Sequence, residues 1–208
     1  VCALCTTRLP RAYGEEMRSK IQVIAPSRKG NVGTASLNAQ LQRGLNPPMQ
    51  SKRERKFRDV VFREGDKVMQ IKNNYDIEWE KTEITGEVHK GQGVFNGDIG
   101  IALERGDGLR VWFPMPDGSI KSVQPSRLPE HDTAWAMTVH KSQGSEFDHA
   151  ALILPSRSVP LVTRELVYTA ITRAKRQLSI YADEQVLTQA VAARTERRSG
   201  LTDIFSAQ

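Results

Sequence analysis

Two stretches of this sequence carry residue types at a spacing that suits phosphate chemistry. The first, Thr138-Val139-His140-Lys141-Ser142-Gln143-Gly144-Ser145-Glu146-Phe147, gathers hydroxyls, a lysine and a glycine just ahead of the apolar run Ala150–Leu154. Donors at a strand edge point outward and a glycine lets an anion approach the backbone, so this stretch is suited to cradling phosphate. The second is Tyr168-Thr169-Ala170-Ile171-Thr172-Arg173-Ala174-Lys175. Here Leu166, Val167, Ala170, Ile171 and Ala174 recur at helical spacing, with Arg173 beside that apolar face. An arginine held by a packed helix presents a planar fork of donors to a phosphoryl group in transfer. From residue types alone, either stretch could equally be an ordinary surface helix.

The elements that must position these residues are legible in the apolar patterning. Ile21-Gln22-Val23-Ile24-Ala25 is a short β-rich run stopped by Pro26 and reads as a buried strand. From Thr34, Leu37, Leu41 and Leu45 recur every four residues, which predicts a helix ended by Gly44, Asn46, Pro47 and Pro48. Strand, loop and helix in that order open an α/β unit. The charge run from Gln50 to Arg58 reads as a solvated loop. Then the period changes to two. Asp66–Lys72, Asp98–Leu103, Arg110–Phe113 and Ser119–Val123 alternate polar and apolar, the last after a Pro116-Asp117-Gly118 turn, and predict a small antiparallel barrel. Asp76 to Gly93, charged and Gly-rich, reads as a mobile loop. Near Thr133 the α/β pattern resumes, with a strand at Ala150–Leu154, a helix over Arg164–Lys175 and a strand at Leu178–Tyr181. A last helix through Val186, Leu187, Ala190 and Val191 has Asp183 as its cap.

Composition narrows the class. The 208 residues are 38% hydrophobic and 26% charged, ordinary for a globular protein with a real core. No apolar run approaches the roughly 20 residues that cross a bilayer, and the N-terminus lacks the basic and apolar regions of a signal peptide, so no membrane association and a cytoplasmic location are expected. With no initiator methionine, the sequence is expected to be part of something longer. A net charge of +6 suits a polyanionic partner, nucleic acid above all, although scattered solvated lysines produce the same number. Cys2 and Cys5 have the spacing of a zinc or redox pair, but zinc needs about four ligands and the sequence has no second cysteine pair. Free thiols and no metal are the expectation.

Taken together in order, the Thr138–Phe147 and Tyr168–Lys175 stretches resemble motifs V and VI of superfamily 1 helicases in their RecD-like form. The resemblance extends to Ile21–Gly30 with Leu37-Asn38, to Phe62–Gln70 with Asn73-Asn74-Tyr75, and to Val94–Gly100. It implies the fold: a RecA-like parallel sheet with helices on both faces, interrupted by a small SH3-like antiparallel barrel. Residues 1–60 and 129–208 would form the second RecA-like domain of such a motor, and 61–128 the insertion. It also implies roles. Arg173 would reach the γ-phosphate of ATP across an inter-domain cleft, with Arg28 a second phosphate contact. Gln143, Gly144 and Glu146 would line the nucleotide. Thr138, His140, Lys141 and Ser142 would touch single-stranded DNA or couple it to the nucleotide, and Asn73 and Asn74 would lie on the barrel near the exiting strand.

One departure from the family pattern decides what the chain can do alone. No Gly-x-x-x-x-Gly-Lys-Ser/Thr occurs, nor an acidic strand end to pair with it for Mg²⁺. The family carries both in its N-terminal RecA-like domain, which would therefore be an obligatory partner, holding ATP and Mg²⁺. The chain by itself is expected to be catalytically silent and to bind no cofactor firmly. Residues up to about Gly100 most resemble stand-alone RecD-like helicases, and those from Arg110 most resemble the RecD subunit of the RecBCD nuclease-helicase. RecB- and RecC-like partners are thus a further expectation, as is the 5′-to-3′ polarity of the family. Two other readings compete: a DNA-binding module acting through its barrel, and a non-catalytic subunit of an assembly.

Overall fold

β1 (Ile21–Ala25) is buried along its whole length, and that explains its composition. A strand covered on both sides alternates nothing, because every side chain must be accepted by a core. It lies inside a four-stranded parallel sheet ordered β11-β1-β12-β13, where β11 is Ala136–Thr138, β12 is Phe147–Ile153 and β13 is Ala174–Tyr181. The computed structural model describes residues 20–48, 54–57, 60–82, 88–106, 108–114, 120–128 and 131–195. Cys2, Cys5, the Pro116-Asp117-Gly118 turn and the tail from Glu196 lie outside them.

Helices cover both faces of this sheet. On one, Ile21, Val23, Ala25, Ala151 and Ile153 pack with Leu37 and Leu41 of α1 (Thr34–Leu45) and with Trp135. On the other, Ile24, Ala150 and Leu152 pack with Leu166, Val167 and Ala170 of α2 (Arg164–Ile171) and Ala190 of α3 (Glu184–Ala192). The period-two alternation of the strands thus sorts each side chain to one helix layer or the other. Leu37 and Leu41 are each 1% exposed, worth about 1.5–3 kcal/mol apiece. Asp183 caps α3 as expected, its Oδ1 accepting from the backbone N–H of Gln185 at 2.9 Å.

Between the two α/β parts stands an antiparallel sheet of seven strands. Its order is β10-β4-β7-β8-β9-β5-β6, with β4 at Lys67–Gln70, β5 at Asn74–Thr82, β6 at Val88–Val94, β7 at Ile99–Arg105, β8 at Gly108–Pro114, β9 at Ile120–Val123 and β10 at His131–Thr133. Its inner face buries Phe62, Val68, Ile77, Val94, Val111, Phe113 and Val123 around one core. Gly100 is demanded there: a Cβ would sit 2.8 Å from Val111 and 2.9 Å from Phe113. β10 still pairs with β4, and after only two intervening residues β11 pairs with β1, so the chain changes sheets between Thr133 and Ala136.

Three expectations are corrected. Glu54–Phe57, within the charge run, is a strand (β2) paired with Val60–Arg63 (β3), and Arg63 forms an ion pair with Glu54 across the hairpin. Much of Asp76–Gly93 is not a loop, because β5 pairs with both β6 and β9. A ribbon whose backbone is claimed on both sides becomes a strand whatever its polarity. The helix expected to run to Lys175 stops at Ile171, with Thr172 as its C-cap, and Ala174 already pairs with Phe147 in the parallel ladder. Thr169 and Thr172 turn their hydroxyls back onto the carbonyls of Glu165 and Thr169, bonds that favour ending a helix over continuing it. Ile171, expected on the buried face, is 39% exposed.

A buried polar network locks the barrel to the α/β layer. Lys67 is 4% exposed, and its Nζ donates to the carbonyl of Ile21 at 3.2 Å and to Gln22 Oε1 at 3.0 Å. Gln22 in turn donates to the carbonyls of Ala134 and Trp135. Burial without a carboxylate pulls the Lys67 pKa down from 10.5 to about 8. Asp66 accepts from Gln42 and from Asn46, both carried by α1 or its end.

Candidate functional site

The loop after β11 is built from tight backbone turns. Ser142 N–H donates to the carbonyl of Thr138 at 3.0 Å, Gln143 N–H to that of His140 at 3.3 Å, and Ser145 N–H to that of Ser142 at 3.0 Å. Gly144 has φ +83 and open space where a Cβ would be, so glycine is favoured there by backbone conformation and leaves the loop surface approachable. His140, Lys141, Gln143, Gly144 and Glu146 are exposed along this loop, and Thr138 is half-buried. Ser142 is different. It is 0% exposed and its hydroxyl donates to the carbonyl of Val139 at 2.8 Å, so it shapes the loop and has no surface to offer a strand directly.

Sheet register separates the expected residues into two groups. Thr138 pairs with Ala25 at the carboxyl end of the sheet, and Arg28 follows that end of β1. Arg173 sits at the opposite end, immediately before Ala174, which pairs with Phe147 two residues ahead of the His149–Ile21 pairing. At about 3.3 Å per residue, the two ends are roughly 20 Å apart. The loop 139–146 runs from one to the other.

At the carboxyl edge Asp132 collects two cations. Its Oδ2 is 2.9 Å from Lys141 Nζ and its Oδ1 is 3.6 Å from Arg28 Nη2. These groups, with Asn38 and Thr138, line a cavity of about 310 Å³. Asn38 braces it, donating to the carbonyls of Thr133 and Ala136 and accepting from Ala136 N–H. A second cavity of about 560 Å³ joins the loop to the barrel, with Asn96, Gly97 and Asp98 on one wall and His140, Lys141, Gln143 and Gly144 on the other. Asn73 approaches it only indirectly, its Oδ1 accepting from Asn96 N–H at 2.8 Å, while Asn74 Oδ1 accepts from Asp76 N–H at 3.0 Å within its own strand.

At the amino edge Arg173 is half-buried and fixed by neutral acceptors. Nε donates to the carbonyl of Thr169 at 3.1 Å, Nη1 to that of Ser145 at 3.0 Å and Nη2 to Thr172 Oγ1 at 3.1 Å. Among the described residues no carboxylate forms a salt bridge with it. The guanidinium is thus oriented by hydrogen bonds and not by an ion pair. Glu146, by contrast, pairs with Lys175 at 3.5 Å on an exposed surface. Arg28 and Arg173 are therefore not brought together, and Arg28 groups with Lys141. Sequence reasoning missed Asp132 and the Asn96–Asp98 wall. The acid is one charge in a basic chain, and its two partners lie 104 and nine residues away.

A parallel sheet with helices on both faces, interrupted by a small antiparallel barrel, has the architecture of a RecA-like domain with an SH3-like insertion. Comparison with known families agrees in both parts. Residues 37–113 match the SH3 domain of ATP-dependent RecD-like DNA helicases, and residues 133–181 match the UvrD-like helicase C-terminal domain. The chain is 33% identical over 199 residues to the RecBCD enzyme subunit RecD of Haemophilus influenzae, covering 91% of this chain and 26% of that protein. It is 31% identical over 179 residues to the ATP-dependent RecD2 DNA helicase of Deinococcus radiodurans, covering 86% and 22%. The chain thus spans about a quarter of the length of these relatives. The Pif1 helicase from Bacteroides in complex with ADP-AlF3 and ssDNA overlays with a TM-score of 0.46 at 18% identity, covering 100% of this chain and 52% of that one. The chain is thus similar over most of its length to RecD-like DNA helicases. Among the described residues no helix is long and apolar enough to cross a membrane, and no three His, Cys, Asp or Glu side chains cluster as a metal site.

Proposed function

We propose that this chain is the second RecA-like motor domain, with its SH3-like insertion, of an ATP-dependent 5′-to-3′ DNA helicase acting in recombination and repair. The observation that carries the reading is Arg173, held rigidly by three neutral acceptors and lacking a carboxylate among the described residues. Such a charge supports a role toward an anion supplied from outside the chain. An N-terminal RecA-like domain would supply it, holding ATP and Mg²⁺. Bound there, Mg²⁺ offsets charge on the phosphates as the γ-phosphoryl group is transferred. The described residues fit only the complementary share of that site: the Arg173 fork, and the Gln143, Gly144 and Glu146 backbone beside it, with no carboxylate cluster for a cation. The carboxyl edge, where Arg28, Thr138, His140 and Lys141 gather, fits the phosphates of single-stranded DNA. The loop 139–146 joins the two edges. Assembly with RecB- and RecC-like subunits is consistent with the relatives named above.

Arg173→Ala and Arg173→Lys in the complete helicase test this. The α2 core residues Leu166, Val167 and Ala170 are untouched, so the fold should survive. Nucleotide affinity should change little, while DNA-stimulated ATPase falls on the order of 10³-fold. Lysine should rescue little, since a point charge does not reproduce the planar fork. Turnover within a few fold of the parent would show that Arg173 is only a structural link between Ser145 and Thr169.

A further inference from the structure

Two large aromatic side chains stand in solvent on the barrel. Tyr75, on β5, is 65% exposed, and Phe95, the residue after β6, is 42% exposed although its neighbour Val94 is fully buried. Their ring centroids are 5.6 Å apart with planes at 70°, an edge-to-face pair. The pair is held in place. A Cβ on Gly93, whose φ is +94, would meet Phe95 Cζ at 3.0 Å, so the ring lies against bare backbone. Lys121 Nζ stands 5.8 Å from the Phe95 ring centre and is tied to Asp98. Asp98 also accepts from Phe95 N–H at 3.1 Å, and the Asn96 N–H bond to Asn73 joins this turn to the segment that carries Tyr75.

Where the pair sits indicates what it meets. Asn96, Gly97 and Asp98, which follow Phe95 directly, form the barrel wall of the cavity whose other wall carries His140 and Lys141. One wall of that groove is cationic, and the turn that forms the other begins at Phe95, beside Tyr75. A single-stranded polynucleotide has that same division, with phosphates on one side and flat apolar bases on the other. Aromatic faces accept bases without regard to sequence, each stacked base changing affinity roughly five- to hundred-fold.

We propose that Tyr75 and Phe95 form a base-stacking platform for the single strand whose phosphates lie along the Lys141 edge. This rests on the single-strand reading of that edge given above. The platform gives the barrel a grip that salt does not screen, distinct from the grip on phosphate.

The test compares binding of the 208-residue chain, by fluorescence anisotropy, to a labelled oligothymidylate and to an abasic oligonucleotide with the same number of phosphates. The parent should prefer the base-bearing strand by at least fivefold. Tyr75→Ala should cut that preference at least threefold, Tyr75→Phe should retain it, and Lys141→Ala should weaken both ligands while leaving their ratio unchanged. Tyr75→Leu, which keeps apolar bulk without a ring, serves if alanine loosens the barrel, and should behave as alanine does. Equal binding of the two oligonucleotides by the parent would overturn the platform and leave the pair as a contact for another protein, with the phosphate reading intact. An unchanged ratio in Tyr75→Leu would overturn it as well. Failure of either oligonucleotide to bind at low salt would overturn both readings.

Discussion

Asp132 sets the electrostatics of the carboxyl edge, because it draws Lys141 and Arg28 onto one carboxylate. Exposed ion pairs of this kind contribute little stability, so the acid's main effect is on charge available to a ligand. Asp132→Asn should therefore leave folding nearly unchanged and strengthen binding to single-stranded DNA. Its log–log salt slope should steepen by roughly 0.7 for each cation released to a phosphate. A slope equal to the parent's, measured from 50 to 300 mM salt (a range of about sixfold over which such slopes are linear), would remove Lys141 and Arg28 from the interface. At this scale the sequence was informative about residue type and poor about surroundings. Lys141, His140 and Gly144 are exposed, whereas Ser142, of the same motif, is buried. Nothing in a hydroxyl's place in a string says whether it faces water or the carbonyl three residues behind it.

Elements were legible where one face is buried and blurred where the backbone alone decides. β1, α1, β12 and α3 announce themselves through apolar periodicity, since each must present a stripe or a run to the core. β2, β5 and β6 do not, because their strand character comes from ladder partners distant in sequence, such as β9 for β5. The early end of α2 has the same origin: the parallel ladder with β12 claims Ala174. Gly100 shows what an element demands of one position. Its neighbours on β8, Val111 and Phe113, fill the volume a methyl would need, and both are core residues that cannot swing into solvent. Gly100→Ala should destabilise the chain by about 1–3 kcal/mol, seen as a lower urea midpoint. A midpoint unchanged from the parent would mean that the barrel relaxes freely at β7.

The whole molecule is joined by a buried amine. Lys67 reaches from the barrel into β1, and its two hydrogen bonds need only two of its hydrogens, so the neutral amine satisfies both. Its folded pKa of about 8 lies below that of an unfolded lysine. Between those values the unfolded chain binds more protons, so stability should rise with pH across roughly pH 8 to 10.5. Below pH 8 the cost of burying the ammonium is fully present. In Lys67→Met that rise should be absent, which denaturation at pH 7.5, 9 and 10 would reveal as the parent gaining stability relative to the variant as pH rises. Parallel curves for the two proteins would show that Lys67 is not the titrating group.

The sequence by itself determined the family, the α/β-with-barrel architecture and the motif residues, because those depend on local periodicity and on residue types in a fixed order. Only the tertiary structure decided which of these residues share a place. The parallel register puts Arg28 with Lys141 and leaves Arg173 about six strand residues away. The change of sheet between β10 and β11 brings Asp132 beneath both cations. The turn after β6 carries Asn96–Asp98 to the loop of His140 and stands Phe95 against Tyr75. Such neighbours are created by strand pairing between residues as far apart as Asn74 and Val94 or Val23 and Ala136, a relation that no local pattern encodes.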